Sequence, residues 1–172
     1  MNSVEPLVAS PASADVAATA RAAQSERPPG SGVIVGILLF GIVTTIAYWV
    51  IWFGVDRDIL ASAHTSEYYA FESSFPLADG WMVAAGMAAT WTLARRRAAS
   101  FFWCVASGAI SVYLGCLDVL FDLENGIYTA ANGDTGGVIV EVIINVLTLS
   151  LGAVVLLWAW AQRRQLLRLA GF

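Results

Sequence analysis

Four carboxylates stand where apolar sequence would otherwise run on: Asp79, Asp118, Asp122 and Glu141. A carboxylate deep in a membrane span costs on the order of 2.5–3.5 kcal/mol on insertion scales, so such residues face a helix-bundle interior or a wet cavity. At about 100° per residue, Ser111, Gly115, Asp118, Asp122 and Asn125 form one stripe of a helix. Glu141, Asn145, Thr148 and Gly152 form another, Asp79, Gly86 and Thr90 a third, and Gly41, Thr45 and Tyr48 a fourth. The small residues read as packing seams, with Gly32-x-x-x-Gly36 and Ser111-x-x-x-Gly115 spaced for close helix approach. Packing does not account for four carboxylates and Asn145 at one depth. Carboxylates crowded together need protons or a bound cation to balance them. Asp79, Asp118, Asp122, Glu141 and Asn145 are therefore the expected ligand- or cation-binding residues.

Other chemistries find little support. Cys104 and Cys116 share one helix about 18 Å apart and cannot pair with each other. With no Cys-x-x-Cys they read as small packing residues. His64 is the sole histidine, too few for a bis-His haem site and unsuited to zinc; it reads as a loop residue. Asp118-Val-Leu-Phe-Asp122-Leu-Glu124-Asn125-Gly126 carries oxygen side chains that hard cations favour, but misses EF-hand spacing. A helix end with an Asn-Gly turn explains that run as well. Asp56, Asp58, Glu67 and Asp134 read as solvated loop charges. No motif implies a cofactor.

The elements that must position these groups are apolar helices. Of 172 residues, 58% are hydrophobic and only 13% charged, against about 25% charged in a soluble domain. Apolar runs of bilayer length, the first of them uninterrupted by charge, predict spans at about 33–53, 76–93, 101–121 and 138–160. Residues 1–30 read as a disordered tail without a signal-peptide pattern, and 31–172 as one domain. The expected fold is an all-α, four-helix antiparallel transmembrane bundle, up-down-up-down. The connection from Gly54 to Phe75, rich in aromatics, is expected to lie partly over the outer mouth as a short amphipathic segment.

Arginine sets the orientation. All nine basic residues are arginine, and eight of them flank the first span, join the second to the third, or follow the fourth. Only Arg57 lies on the other side. The positive-inside rule then puts both termini in the cytoplasm and the intramembrane acids at the outward end. The absence of lysine removes a basic patch for nucleic acid and hints at a GC-rich bacterial genome, hence a bacterial inner membrane.

Between Phe71 and Tyr128, about a third of the chain, Phe75-Pro-Leu-Ala-Asp79, the arginine-rich turn and Leu117-Asp118…Phe121…Asn125-Gly126-x-Tyr128 resemble uncharacterised bacterial four-helix integral membrane proteins. The resemblance implies membrane location and fold, and brings no activity. By architecture alone the chain is also similar to small sterol-isomerase-type bundles with buried carboxylates. Three function classes stay open: a binding, sensing or accessory protein using the acidic pocket, the reading placed first; an oligomeric transporter of protons, cations or a cationic solute; and a membrane-embedded acid/base enzyme on a lipid or isoprenoid. The implied partners are the bilayer, a cation or small ligand, and a protein partner or second copy. A pocket open sideways to lipid would favour the enzyme, one open to water cation binding.

Overall fold

The computed structural model describes residues 27–129 and 135–168, and all the regular structure among them is helical. Most of the expected tail, with Glu5, Asp15, Arg21 and Glu26, lies outside the described residues, as does Asp134. The elements are α1 (Ser31–Gly54), a 3-10 turn (Arg57–Ile59), α2 (Ser66–Glu72), α3 (Pro76–Ala94), α4 (Ala99–Glu124), α5 (Thr135–Ala161) and α6 (Arg163–Arg168). The four expected spans coincide with α1, α3, α4 and α5 to within three residues at every end. Of these, α1, α4 and α5 are long and apolar enough to cross a membrane. Their outward faces carry large apolar side chains such as Val43, Val50, Phe53, Leu157 and Trp160, a surface that lipid covers and water does not.

Local chemistry sets the helix ends. Pro76 begins α3 at a position whose missing N–H costs nothing. The Thr65 side chain accepts from the Tyr68 backbone N–H and starts α2. At the end of α4, Gly126 adopts a left-handed φ of 67°. The N–H of Ile127 then donates to the Asp122 carbonyl, closing a Schellman motif that Ile127 locks by burial. Asn125-Gly126 is thus a helix stop; Glu124 and Asn125 point outward.

Close approaches give the helix directions. Gly108 lies against Gly152 and Leu156, while Gly115 lies against Leu149 and Thr148, so α4 and α5 run antiparallel. Ile42 meets Gly86 and Trp49 meets Asp79, so α1 and α3 do likewise. A Cβ added at Gly108 would sit 2.8 Å from the Gly152 carbonyl oxygen, which makes this a backbone-to-backbone seam. The Ser111-x-x-x-Gly115 expectation holds at this seam. Gly32-x-x-x-Gly36 does not: both glycines are exposed, with no atom within 4 Å of an added Cβ. Cys104 is buried as expected, but Cys116 lies on an exposed face.

Two cores occupy opposite ends. One gathers Ile34, Leu38, Ala89, Cys104, Val155 and Ala159 beside the arginine-rich turns. There Trp158 also donates to the Pro29 carbonyl at 2.9 Å, so the last residues of the expected tail pack on α5. The other core gathers Trp52, Ala61, Ala63, Tyr68 and Ile127, under the segment that leads from α1 through α2.

Candidate functional site

The acids converge at the second end. Asp118 and Asp122 lie one turn apart on α4, and Glu141 faces them from α5; each offers a carboxylate oxygen within 4.8 Å of the others. Asp122 and Glu141 are almost fully buried, at 1% and 4% exposure. Asn145, one turn beyond Glu141, donates through Nδ2 to Asp122 Oδ2 at 2.8 Å and lies 2.8 Å from the Tyr128 hydroxyl. Thus four of the five expected site residues form one cluster. Asp79 stands apart on α3, where its carboxylate accepts from the Trp49 indole at 2.9 Å.

The segment between α1 and α3 covers this cluster, as expected of it. Glu141 Oε2 accepts from Ser62 Oγ at 2.6 Å and from the Tyr68 hydroxyl at 3.2 Å. Tyr68 is 1% exposed. Phe71 stacks flat on Phe121, ring centroids 3.8 Å apart, holding α2 against α4 one residue from Asp122. Burial pushes the Tyr68 and Tyr128 phenols up, so both remain protonated, neutral donors. Arg57, the nearest cation expected from the sequence, lies over the half-buried Tyr69 ring at 4.3 Å. Asp58 meets the same tyrosine hydroxyl at 2.5 Å, leaving the solvated loop charges outside the pocket.

Sequence reasoning missed Glu72. This carboxylate is 7% exposed and accepts from the Tyr48 hydroxyl at 2.9 Å. Burial first, and then the Glu141, Asp122 and Asp79 carboxylates, push its pKa up to about 8 against the pull of that hydrogen bond. The available signal was the i, i+4 spacing of Tyr68 and Glu72, which puts both on the buried face of α2.

Satisfaction is incomplete within the cluster. Asp122 Oδ1 and Asn145 Oδ1 are sealed from solvent and accept no hydrogen bond among the described residues. An unsatisfied buried acceptor costs about 1–3 kcal/mol, more when charged.

A cavity of about 430 Å³ runs from these acids along the helices, within the size range that holds drug-sized ligands. Glu72, Asp79, Asp118 and Glu141 line one end; Ile37, Leu38, Leu151 and Val155 line the other. Between α1 and α5, which touch little, its rim includes exposed Phe40, Thr44, Ala47 and Leu147. The opening is therefore lateral, at mid-helix. The apolar core around Ile34 and Ala159 closes the far end. Chemically, such a space takes an apolar body and presents carboxylates to whatever polar head follows.

No family model, no curated protein and no solved structure matches this chain.

Proposed function

We infer that the chain is a four-span inner-membrane protein, a binding, sensing or accessory component that takes up an amphiphile with a cationic head from the surrounding bilayer. The observation that carries this reading is the lateral cavity, apolar along its length and acidic at one end. An apolar tail gains about 25 cal/mol per Å² of surface buried. Asp79, oriented by Trp49, supplies charge complementarity for an ammonium, and the protonated Glu72 held by Tyr48 adds a neutral carbonyl acceptor.

The four-span topology rests on α3 as the remaining crossing. Its 19 residues span about 28 Å, and Leu77, Trp81, Met87 and Trp91 expose an apolar face along it. Among the described residues, Arg95 and Arg97 lie over Trp91 and Arg163 over Trp160 at the end with the arginine-rich turns, and Arg57 lies over Tyr69 at the other. An excess of arginine at that end is the pattern of a cytoplasmic interface and supports both termini inside and the acids outside, in keeping with the resemblance to bacterial four-helix membrane proteins.

The sideways opening also favours a second reading, an acid/base enzyme on a lipid or isoprenoid. Carboxylates adjoining the cavity within hydrogen-bond reach of protonated phenols meet the geometric need of proton transfer. Transport fits less well, because the acids occupy one end and apolar side chains fill the other.

The test is tryptophan quenching in nanodiscs of neutral lipid, titrated with a brominated long-chain amine and a brominated alkyl sulfate of equal length. Saturable quenching by the amine alone, weakened at least tenfold by Asp79→Asn, is expected. Equal quenching by both, or none, overturns the reading. Turnover of an isoprenoid or lipid substrate, lost in Asp118→Asn, would move the assignment to the enzyme.

A further inference from the structure

Beside the cavity, the polar cluster between α4 and α5 has the composition of a metal site. Asp118, Asp122 and Glu141 bring three carboxylate oxygens within 4.8 Å of one another. An ion bound at about 2.4 Å can bridge oxygens up to about 4.8 Å apart, so three donors inside that limit can share one ion. Acid clustering alone would say little, since protons could balance it. The independent observation is Asn145, 3% exposed, whose amide is fixed through Nδ2 on Asp122 and beside Tyr128. Its Oδ1 accepts nothing among the described residues, and neither does Asp122 Oδ1. A proton shared between Asp122 and Asn145 would serve this pair alone, whereas a cation serves it together with the Asp118 and Glu141 carboxylates.

We propose that Asp118, Asp122, Glu141 and the Asn145 carbonyl bind one hard divalent cation of the calcium class. The donor set is all oxygen, with no nitrogen or sulfur to favour zinc or copper. Magnesium suits it less, since it demands shorter, near-octahedral contacts and keeps its waters. Three carboxylates against a doubly charged ion leave the site one negative charge, close to balance. Ser62 and Tyr68 hold Glu141 from the outer side, and Tyr128 holds Asn145, so the ligands are oriented by neighbours as metal ligands commonly are. Glu72 and Asp79 are not ligands, and the metal site stands or falls independently of the amphiphile reading.

The experiment uses the full chain, stripped with chelator, in a neutral detergent at pH 8. Calcium is expected to raise the melting temperature saturably by 5 °C or more, with magnesium well behind. Terbium, a calcium surrogate, should luminesce when Tyr68 and Tyr128 are excited and be displaced by calcium. Glu141→Gln and Asp118→Asn should abolish both signals, and the exposed pair Asp56→Asn/Asp58→Asn should retain them. Should Glu141→Gln fail to fold, Asp118→Asn at the cavity wall and terbium on the unaltered chain still decide. No saturable response up to 10 mM calcium overturns the proposal. So does an equal response in Asp118→Asn, which would put the ion on surface acids.

Discussion

Glu72 is the residue whose behaviour should be most visible in solution. Its folded pKa of about 8 lies above the ordinary 4.5 of a free glutamate, so the folded state holds a proton that the unfolded chain releases earlier. Its contribution is then fully present below pH 4.5 and lost as pH rises toward 8, at most about 5 kcal/mol over that window. Melting temperatures should fall across that interval, and Glu72→Gln, which keeps the protonated shape, should flatten the fall. A profile unchanged by Glu72→Gln would show that other carboxylates carry it. The residue was hard to find because α2 is seven residues long, too short for a periodic pattern. Asp118, Asp122, Glu141 and Asn145 were legible because each interrupts a long apolar run on a known helical face. That Asp79 would be drawn aside by Trp49 could not be read, since indole direction depends on the packing of α1 on α3.

At the scale of elements, glycine spacing was informative only with a neighbour attached. Gly32-x-x-x-Gly36 and Ser111-x-x-x-Gly115 look alike in sequence, yet one faces outward and the other meets α5. Gly108, a seam the stripe analysis passed over, approaches backbone directly. Gly108→Ala should destabilise by about 1–3 kcal/mol through overpacking, because the Gly152 carbonyl and the Leu156 N–H beside it cannot rotate away. Gly36→Ala should be neutral or stabilising by up to about 1 kcal/mol. Unfolding of the two variants in a mixed-micelle denaturant series checks the contrast; equal effects would refute the seam. Element boundaries were legible because Pro76, Asn125-Gly126 and the arginine turns punctuate apolar runs. The covering segment was foreseen in outline, while its bonds to Glu141 depend on contacts across 73 and 79 positions.

For the whole molecule, orientation is the first matter to settle by experiment. With Cys104 and Cys116 replaced by serine and single cysteines placed at Asp58 or Arg96, an impermeant maleimide applied to intact cells should label position 58 and spare 96. The reverse pattern would invert the protein and turn its acids toward the cytoplasm. Composition foretold an all-helical membrane protein because 58% apolar content leaves little else to fold in water. It could not foretell a cavity: hollow and filled interiors use the same apolar residues and differ only in how side chains mesh.

That hollow separates two packed ends, and its consequence is mechanical. The apolar core at the arginine end and the aromatic core under α2 communicate through helix backbones more than through meshed side chains. A disturbance that loosens one end therefore has few routes to the other. The protein should behave as two cooperative units rather than one, the covering segment breathing on its own while the arginine end stays shut. Hydrogen–deuterium exchange would register this as fast, independent exchange at Tyr68–Glu72 beside slow exchange around Ala89 and Ala159. A single shared exchange rate would mean that the helices move as one solid.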